Sequence, residues 1–210
     1  MLRKTLVALS LVLGMVVLAG AGAVLSSQTS SAAPTVLHRH ASASAMVPAK
    51  LAPFLADARL ATAKYATDLA RAKRDGYTIV VTRHIPNMGW HFLNPAYTKF
   101  DVEKPAILVY VKRGARWQLV AFEWVFPEKP AKKPLPGATY GSFGAACHYK
   151  DGTFVFTAAE ADCAPKSAES GAAFGFWHPD LVTLHAWVWY PNPDGIFAGM
   201  NPLMKPFNRG

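Results

Sequence analysis

The sequence ILVYVKRGARWQLVAFEWVF at residues 107–126 is the clearest indication of this chain's architecture. Two runs rich in Val and in aliphatic or aromatic residues, 107–112 and 117–126, flank a short turn that contains Gly, which is typical of a β-hairpin. Both alternating faces of the second run are largely apolar. We therefore expect this strand to lie at the centre of a sheet, with Glu123 among apolar neighbours.

An amphipathic helix is predicted before the strands. Apolar residues recur at three- and four-residue steps over 51–72, and Gly76 follows as a stop signal. We therefore predict one long helix over 48–75, with further strands at 77–83 and 181–190. The order of one helix followed by several strands predicts an α+β fold, in which the long N-terminal helix packs on an antiparallel β-sheet.

The first 33 residues have the layout of a secretory signal peptide. Two basic residues precede a long uncharged run, and small residues suited to a signal peptidase follow it. We predict a signal peptide at 1–33, a flexible spacer at 34–47 and a single globular α+β domain at 48–210, so that the mature protein is secreted or extracytoplasmic. The uncharged run is also long enough to remain as a membrane anchor, and an uncleaved N-terminal segment is the alternative.

The chain has two cysteines, Cys147 and Cys163. An exported protein meets an oxidising compartment, where an even number of cysteines tends to pair. We therefore predict a Cys147–Cys163 disulfide that links the two ends of a segment that leaves the sheet. The chain entropy of a loop of this size predicts about 3 kcal/mol of stabilisation.

The formal net charge is +9, and the basic residues are spread over many short stretches. Such a surplus gives an exported protein a weak attraction to an anionic envelope surface. The sequence has no arginine-rich block and no signature of a nucleic-acid-binding module, so we expect no specific nucleic-acid partner. We expect a monomer whose partner is a small molecule or a metal ion.

Three polar side chains, His91, Glu123 and His185, stand in apolar sequence settings. Burying such a group without a partner costs about 1–3 kcal/mol, so each needs a hydrogen bond, a metal or a ligand. If the three converge, two imidazoles and a carboxylate suit a divalent metal, and a metal-free polar pocket is the alternative. Strand alternation places Trp187 on the same face as His185, which indicates either an aromatic-rich core or a pocket wall. Three separately satisfied structural groups remain a further possibility.

Two motifs, MGxHFxNP at 88–95 and LHAWVWxPNPxGxF at 184–197, resemble those of a family of uncharacterised bacterial secreted proteins. The resemblance covers residues 50–202. It implies export and a single domain, and it directs attention to Asn94 and Asn192 beside the polar residues already named. It implies no activity.

The leading hypothesis is an exported binding module with an aromatic-lined pocket, polarised by two histidines and a glutamate, for a small molecule or a metal ion. A metal-assisted or acid–base hydrolase using the same residues is one alternative, and a basic envelope-associated structural protein is another. No Gly-x-Ser-x-Gly nucleophile motif is present. The predicted ligand-binding residues are His91, Asn94, Glu123, His185, Trp187 and Asn192, of which His91, Glu123 and His185 are the candidate metal ligands.

Overall fold

The computed structural model describes residues 49–208, whose strands form two antiparallel β-sheets. The larger sheet has the strand order β1-β2-β3-β4-β9-β5, and the smaller sheet has the order β7-β6-β8. The predicted signal peptide and the predicted spacer lie outside the described residues. The strands are β1 (Ile79–Ile85), β2 (Gly89–Leu93), β3 (Ile107–Arg113), β4 (Arg116–Phe126), β5 (Gly141–Phe143), β6 (Ala146–Tyr149), β7 (Phe154–Phe156), β8 (Phe174–His178) and β9 (Leu181–Ala186).

The predicted α+β fold with one long N-terminal helix over 48–75 is wrong. Two short helices, α1 (Ala52–Thr62) and α2 (Leu69–Arg74), are separated by a 3₁₀ turn, and the fold is mostly β. The hydroxyl of Thr62 donates to the carbonyl of Ala58 at 2.6 Å, and the carboxylate of Asp68 accepts from the backbone of α2 and caps its start. Thr and Asp offer the backbone such alternatives to a continuous helix, which the apolar repeat alone does not reveal.

The hairpin of β3 and β4 is antiparallel, as predicted, and β4 lies inside the larger sheet between β3 and β9. One face of this sheet packs against the helical segment. The Tyr110 hydroxyl donates to the carbonyl of Tyr65 at 2.7 Å, and the Tyr110 ring contacts Phe92 on the same face. Phe92, Leu108 and Phe122 are successive partners across β2, β3 and β4, and all three are buried. These three side chains are part of the apolar core of the domain, and their burial stabilises the fold.

The smaller sheet lies near the N-terminal edge strand of the larger one. The Arg83 amide on β1 donates to the carbonyl of Gly152 at 2.9 Å, in the turn between β6 and β7. Cys147 on β6 and Cys163 form a disulfide, which confirms the predicted pairing. No helix within residues 49–208 has the length and apolar character that a membrane span requires.

Candidate functional site

A cavity of about 460 Å³ opens between the two sheets. Side chains from β1, β2, β3, β4, β5, β8 and β9 line it, together with residues of the C-terminal loop. Most of its wall is apolar, and its size falls within the range of small-molecule sites, about 300–1,000 Å³. The polar side chains in the wall are those of Thr82, His91, Glu123, Ser142, His178 and Thr183.

The strand register brings the three predicted polar residues to one face of the larger sheet. His91 on β2 is paired with Val109 on β3, which is paired with Ala121 on β4. Glu123 follows Ala121 by two residues, and alternate residues of a strand share a face. His185 on β9 is the direct cross-strand partner of Glu123. The three side chains therefore converge, although His91 and His185 are far apart in the sequence.

The His91 ring is buried, with 2% of the residue exposed. Its Nδ1 lies 2.7 Å from the hydroxyl of Thr82 on β1, and its Nε2 lies 3.6 Å from Oε2 of Glu123. Burial lowers the pKa of His91 to about 4, against a smaller opposing effect of the Gly89 backbone. The imidazole is therefore neutral at neutral pH, and the His91–Glu123 contact is then a polar contact rather than an ion pair.

Glu123 is the acidic group of the cavity wall, and 16% of its side chain is exposed. Burial raises the pKa of Glu123 to about 7, and a hydrogen bond with Thr183 opposes that rise. Near neutral pH the carboxyl therefore exists in both protonation states. The protonated form can donate a hydrogen bond to a ligand, and the ionised form can only accept one.

His185 does not line the cavity, although it shares the sheet face of Glu123. Its ring sits against Trp187, with ring centroids 4.9 Å apart, and 6.4 Å from the ring of His91. Only 4% of the residue is exposed, and within residues 49–208 neither ring nitrogen has a hydrogen-bond partner. Burial, and to a lesser extent His91, lowers the pKa of His185 to about 3, so that this ring is neutral.

The other predicted ligand-binding residues lie outside the cavity wall, where each bonds to loop backbone. The Asn94 amide donates to the carbonyl of Asp75 at 3.1 Å, and the Asn192 amide donates to the carbonyl of Met200 at 2.8 Å. Strand β9 ends at Ala186, so Trp187 is in the loop that follows, where its indole donates to a carbonyl of that loop. These three residues fix the loops at the ends of the sheet.

The geometry gives no support to a metal centre. Within the described part of the chain, no group of three or more His, Cys, Asp or Glu side chains is placed to hold a metal ion. The predicted ligands His91, Glu123 and His185 share a face, but His185 does not line the cavity and the other two contact each other. A metal role for them stays a prediction.

The sequence interpretation missed several residues of the cavity wall. Thr82 lies in the middle of β1 and Thr183 lies within β9. A polar β-branched residue within a mostly apolar strand was the available signal for both. Phe143, Phe176 and His178 reach the cavity through the folding of β5 and β8, for which no local pattern existed.

Comparisons with known protein families, with curated proteins and with solved structures found no match to this chain. The resemblance of its two motifs to a secreted bacterial family therefore stays a prediction.

Proposed function

We propose that this protein is an extracytoplasmic binding module that holds one small, mostly apolar molecule in the cavity between its two sheets. The observation that carries the proposal is the cavity of about 460 Å³, with an apolar wall and a few polar groups on one side. A largely preformed apolar pocket with a small number of placed polar groups is the usual form of a small-molecule site.

The polar groups of the wall define the part of the ligand that they contact. Glu123 faces the cavity beside His91, whose ring is held by Thr82. A ligand hydroxyl or amine can form a hydrogen bond with this carboxyl in either of its protonation states. A hydroxyl or a neutral amine both donates and accepts, and a protonated amine is a charged donor to the ionised carboxyl. The proposed ligand is therefore an apolar body with one such group. Thr183 is a further polar contact in the same wall.

The disulfide between Cys147 and Cys163 is compatible with an extracytoplasmic location. Together with the predicted signal peptide at 1–33, it supports a location outside the cytoplasm.

One observation favours acid–base catalysis as a second candidate function. A carboxyl with a pKa of about 7 is matched to proton transfer near neutral pH, and Glu123 has this property while it faces the cavity. If the protein is an enzyme, Glu123→Gln abolishes turnover and leaves binding of the apolar body intact.

The experiment that tests the binding proposal uses 1-aminoanthracene, a fluorescent probe with an apolar ring system and one amine. Val125→Trp places an indole in the cavity wall, and Val155→Trp places the same group on an exposed position of β7. We expect saturable binding of one probe per chain to the wild type and to Val155→Trp, and its loss in Val125→Trp. Equal binding of 1-aminoanthracene by Val125→Trp and Val155→Trp would contradict the proposal.

A further inference from the structure

A second pair of histidines occupies the smaller sheet. His148 on β6 is fully buried, and His178 at the end of β8 lies partly in the cavity wall. The Nε2 atoms of the two rings are 2.9 Å apart. Neither residue belongs to the His91–Glu123 side of the cavity, and the proposed ligand contact does not use them.

The opposite nitrogen of each ring faces a backbone carbonyl. Nδ1 of His148 lies 2.8 Å from the carbonyl oxygen of Val81, and Nδ1 of His178 lies 2.6 Å from that of Pro179. A carbonyl oxygen only accepts, so each Nδ1 carries a hydrogen and donates it. In two neutral rings both Nε2 atoms would then be bare. Their lone pairs would face each other at hydrogen-bond distance, which is a repulsive arrangement.

A proton between the two nitrogens removes this conflict. The separation of 2.9 Å is the ordinary distance between a donor nitrogen and its acceptor. A zinc ion bound to both nitrogens at about 2.0–2.1 Å would require a nearly right-angled arrangement instead of the usual tetrahedral one. In the described residues no third His, Cys, Asp or Glu completes such a group.

We propose that His148 and His178 share one proton between their Nε2 atoms, and that this shared proton fastens β8 to β6 at the wall of the cavity. The surroundings suit a delocalised cation. The His148 ring stacks on Phe176 with centroids 4.6 Å apart, and the ring of Phe143 lies within 6 Å of both imidazoles, at 5.7 and 5.2 Å. Aromatic faces attract a positive charge at such distances.

Few other titratable groups surround the pair. Tyr149 shares β6 with His148, and Glu123 on β4 lines the same cavity as His178. Strands β5 and β7 contain no titratable residue, and β8 contributes only His178 itself. On β9 the titratable group is the neutral His185. On β1, Arg83 pairs with Asp151 and Glu169, and His84 has a pKa that burial lowers.

The one carboxylate next to His178 in the chain, Asp180, accepts from the amide of Ala145. Among the hydrogen bonds of residues 49–208, no carboxylate accepts from either ring of the pair. The excess positive charge is therefore held between the two imidazoles.

A second proton on this pair breaks the contact. Burial lowers the pKa of His148 to about 4. The hydrogen bond to the Val81 carbonyl opposes this effect, and a smaller repulsion from His178 adds to it. When both Nε2 atoms are protonated in acid, two cations and two hydrogens face each other. Phe176 and His178 both line the cavity, so the loss of this contact loosens its wall. This consequence for ligand release rests on the proposed binding function.

The test of the shared proton needs no ligand. We would record long-range ¹H–¹⁵N spectra of the imidazoles in the full chain across a pH series, with His178→Gln to assign the pair and His84→Gln as the control. We expect both Nδ1 atoms to be protonated at neutral pH, with one further proton shared by the two Nε2 atoms and coupled titration of both rings. A bare Nδ1 on either ring, two bare Nε2 atoms, or signals that change with a chelator would overturn the proposal.

The effect on the cavity is tested separately with 1-aminoanthracene. We expect acidification from pH 7 to pH 4 to weaken its binding to the wild type about tenfold more than to His178→Gln. An equal loss of probe affinity in the wild type and in His178→Gln would refute the proposal that the histidine pair holds the cavity wall in place. Failure of the probe to bind at any pH would refute the binding function, while the spectra still decide the shared proton.

Discussion

Nε2 of His91 lies 3.6 Å from Oε2 of Glu123, although the two residues are on β2 and β4 and the whole of β3 lies between them. The contact spans β3 diagonally because both side chains project from the same face, above the small Val109 and Ala121 pair. With a neutral imidazole beside it, the carboxyl gains no ion pair to offset its burial. Its protonation is therefore linked to the stability of the fold.

Glu123→Gln is expected to change the pH dependence of stability. The pKa of Glu123 rises from its ordinary value of 4.5 to about 7, so between these values the native state holds a proton that the unfolded chain has released. The wild type therefore loses stability from this group as pH rises from 4.5 to 7. Gln has no such dependence. We expect the free energy of unfolding of the variant, relative to the wild type, to rise by about 3 kcal/mol between pH 4 and pH 8 in urea titrations.

The matched control for that experiment is Glu128→Gln, at an exposed position after β4. It removes the same charge and is expected to leave the difference between variant and wild type constant over this pH range. A flat difference for Glu123→Gln as well would show that the carboxyl is solvated in the native protein.

His185→Leu is expected to stabilise the protein. Both ring nitrogens of His185 are buried without a partner within the described residues, and an apolar side chain of similar size removes that cost, about 1 kcal/mol at pH 7. The pKa of His185 falls from 6.5 to about 3, so below pH 6.5 the unfolded chain binds a proton that the native state does not. The wild type loses stability as pH falls through this range, and the variant's advantage grows.

Thermal and urea unfolding at pH 7 and pH 5 measure this effect. His91→Leu serves as the comparison, because it removes the partner of the buried Thr82 hydroxyl and is expected to cost about 1–3 kcal/mol at pH 7. If His185→Leu were as destabilising as His91→Leu, the His185 ring would be shown to bind a partner in solution.

Local patterns were sufficient to predict the hairpin and the unusual polar residues. The alternation over 117–126 placed Glu123 on an apolar face of a central strand, and the structure has it there. Burial of His91 and His185 could be predicted from their apolar neighbours. Their placement beside Glu123 could not be predicted, because it depends on the register of three strand pairs. That register is set by contacts between distant parts of the chain.

The errors in the sequence interpretation have specific physical causes. The strand predicted over 181–190 ends at Ala186, because the amide of Trp187 donates to the carbonyl of Ile196 instead of to a strand. The helix predicted over 48–75 ends at Thr62 and begins again after Asp68, because side chains at both points bond to the backbone. Periodicity reports which face is buried, and it is insensitive to such interruptions.

Asp68→Ala tests the second of these interruptions. The Asp68 carboxylate accepts from the amide of Arg71 at 2.8 Å, which satisfies one of the free amides at the start of α2. Its loss is expected to lower the free energy of unfolding by about 1 kcal/mol. Asp57→Ala removes an equal charge from an exposed position within α1 and is expected to have a much smaller effect. Equal effects of the two substitutions in urea unfolding would rule out the cap.

Removal of the disulfide, by Cys147→Ser with Cys163→Ser, is expected to destabilise the chain by about 3 kcal/mol, since the closed loop spans a sequence separation of 16 residues. Cys147 precedes His148 on β6, so the loss also loosens the strand that carries one of the paired imidazoles. A reducing agent should lower the urea midpoint of the wild type to that of the double variant and leave the variant's own midpoint unchanged. If the reductant also shifted the urea midpoint of the variant, the midpoint would report something other than the disulfide. If the reductant left the midpoint of the wild type unchanged, the loop would be held by the pairing of β6 with β7 and β8 alone.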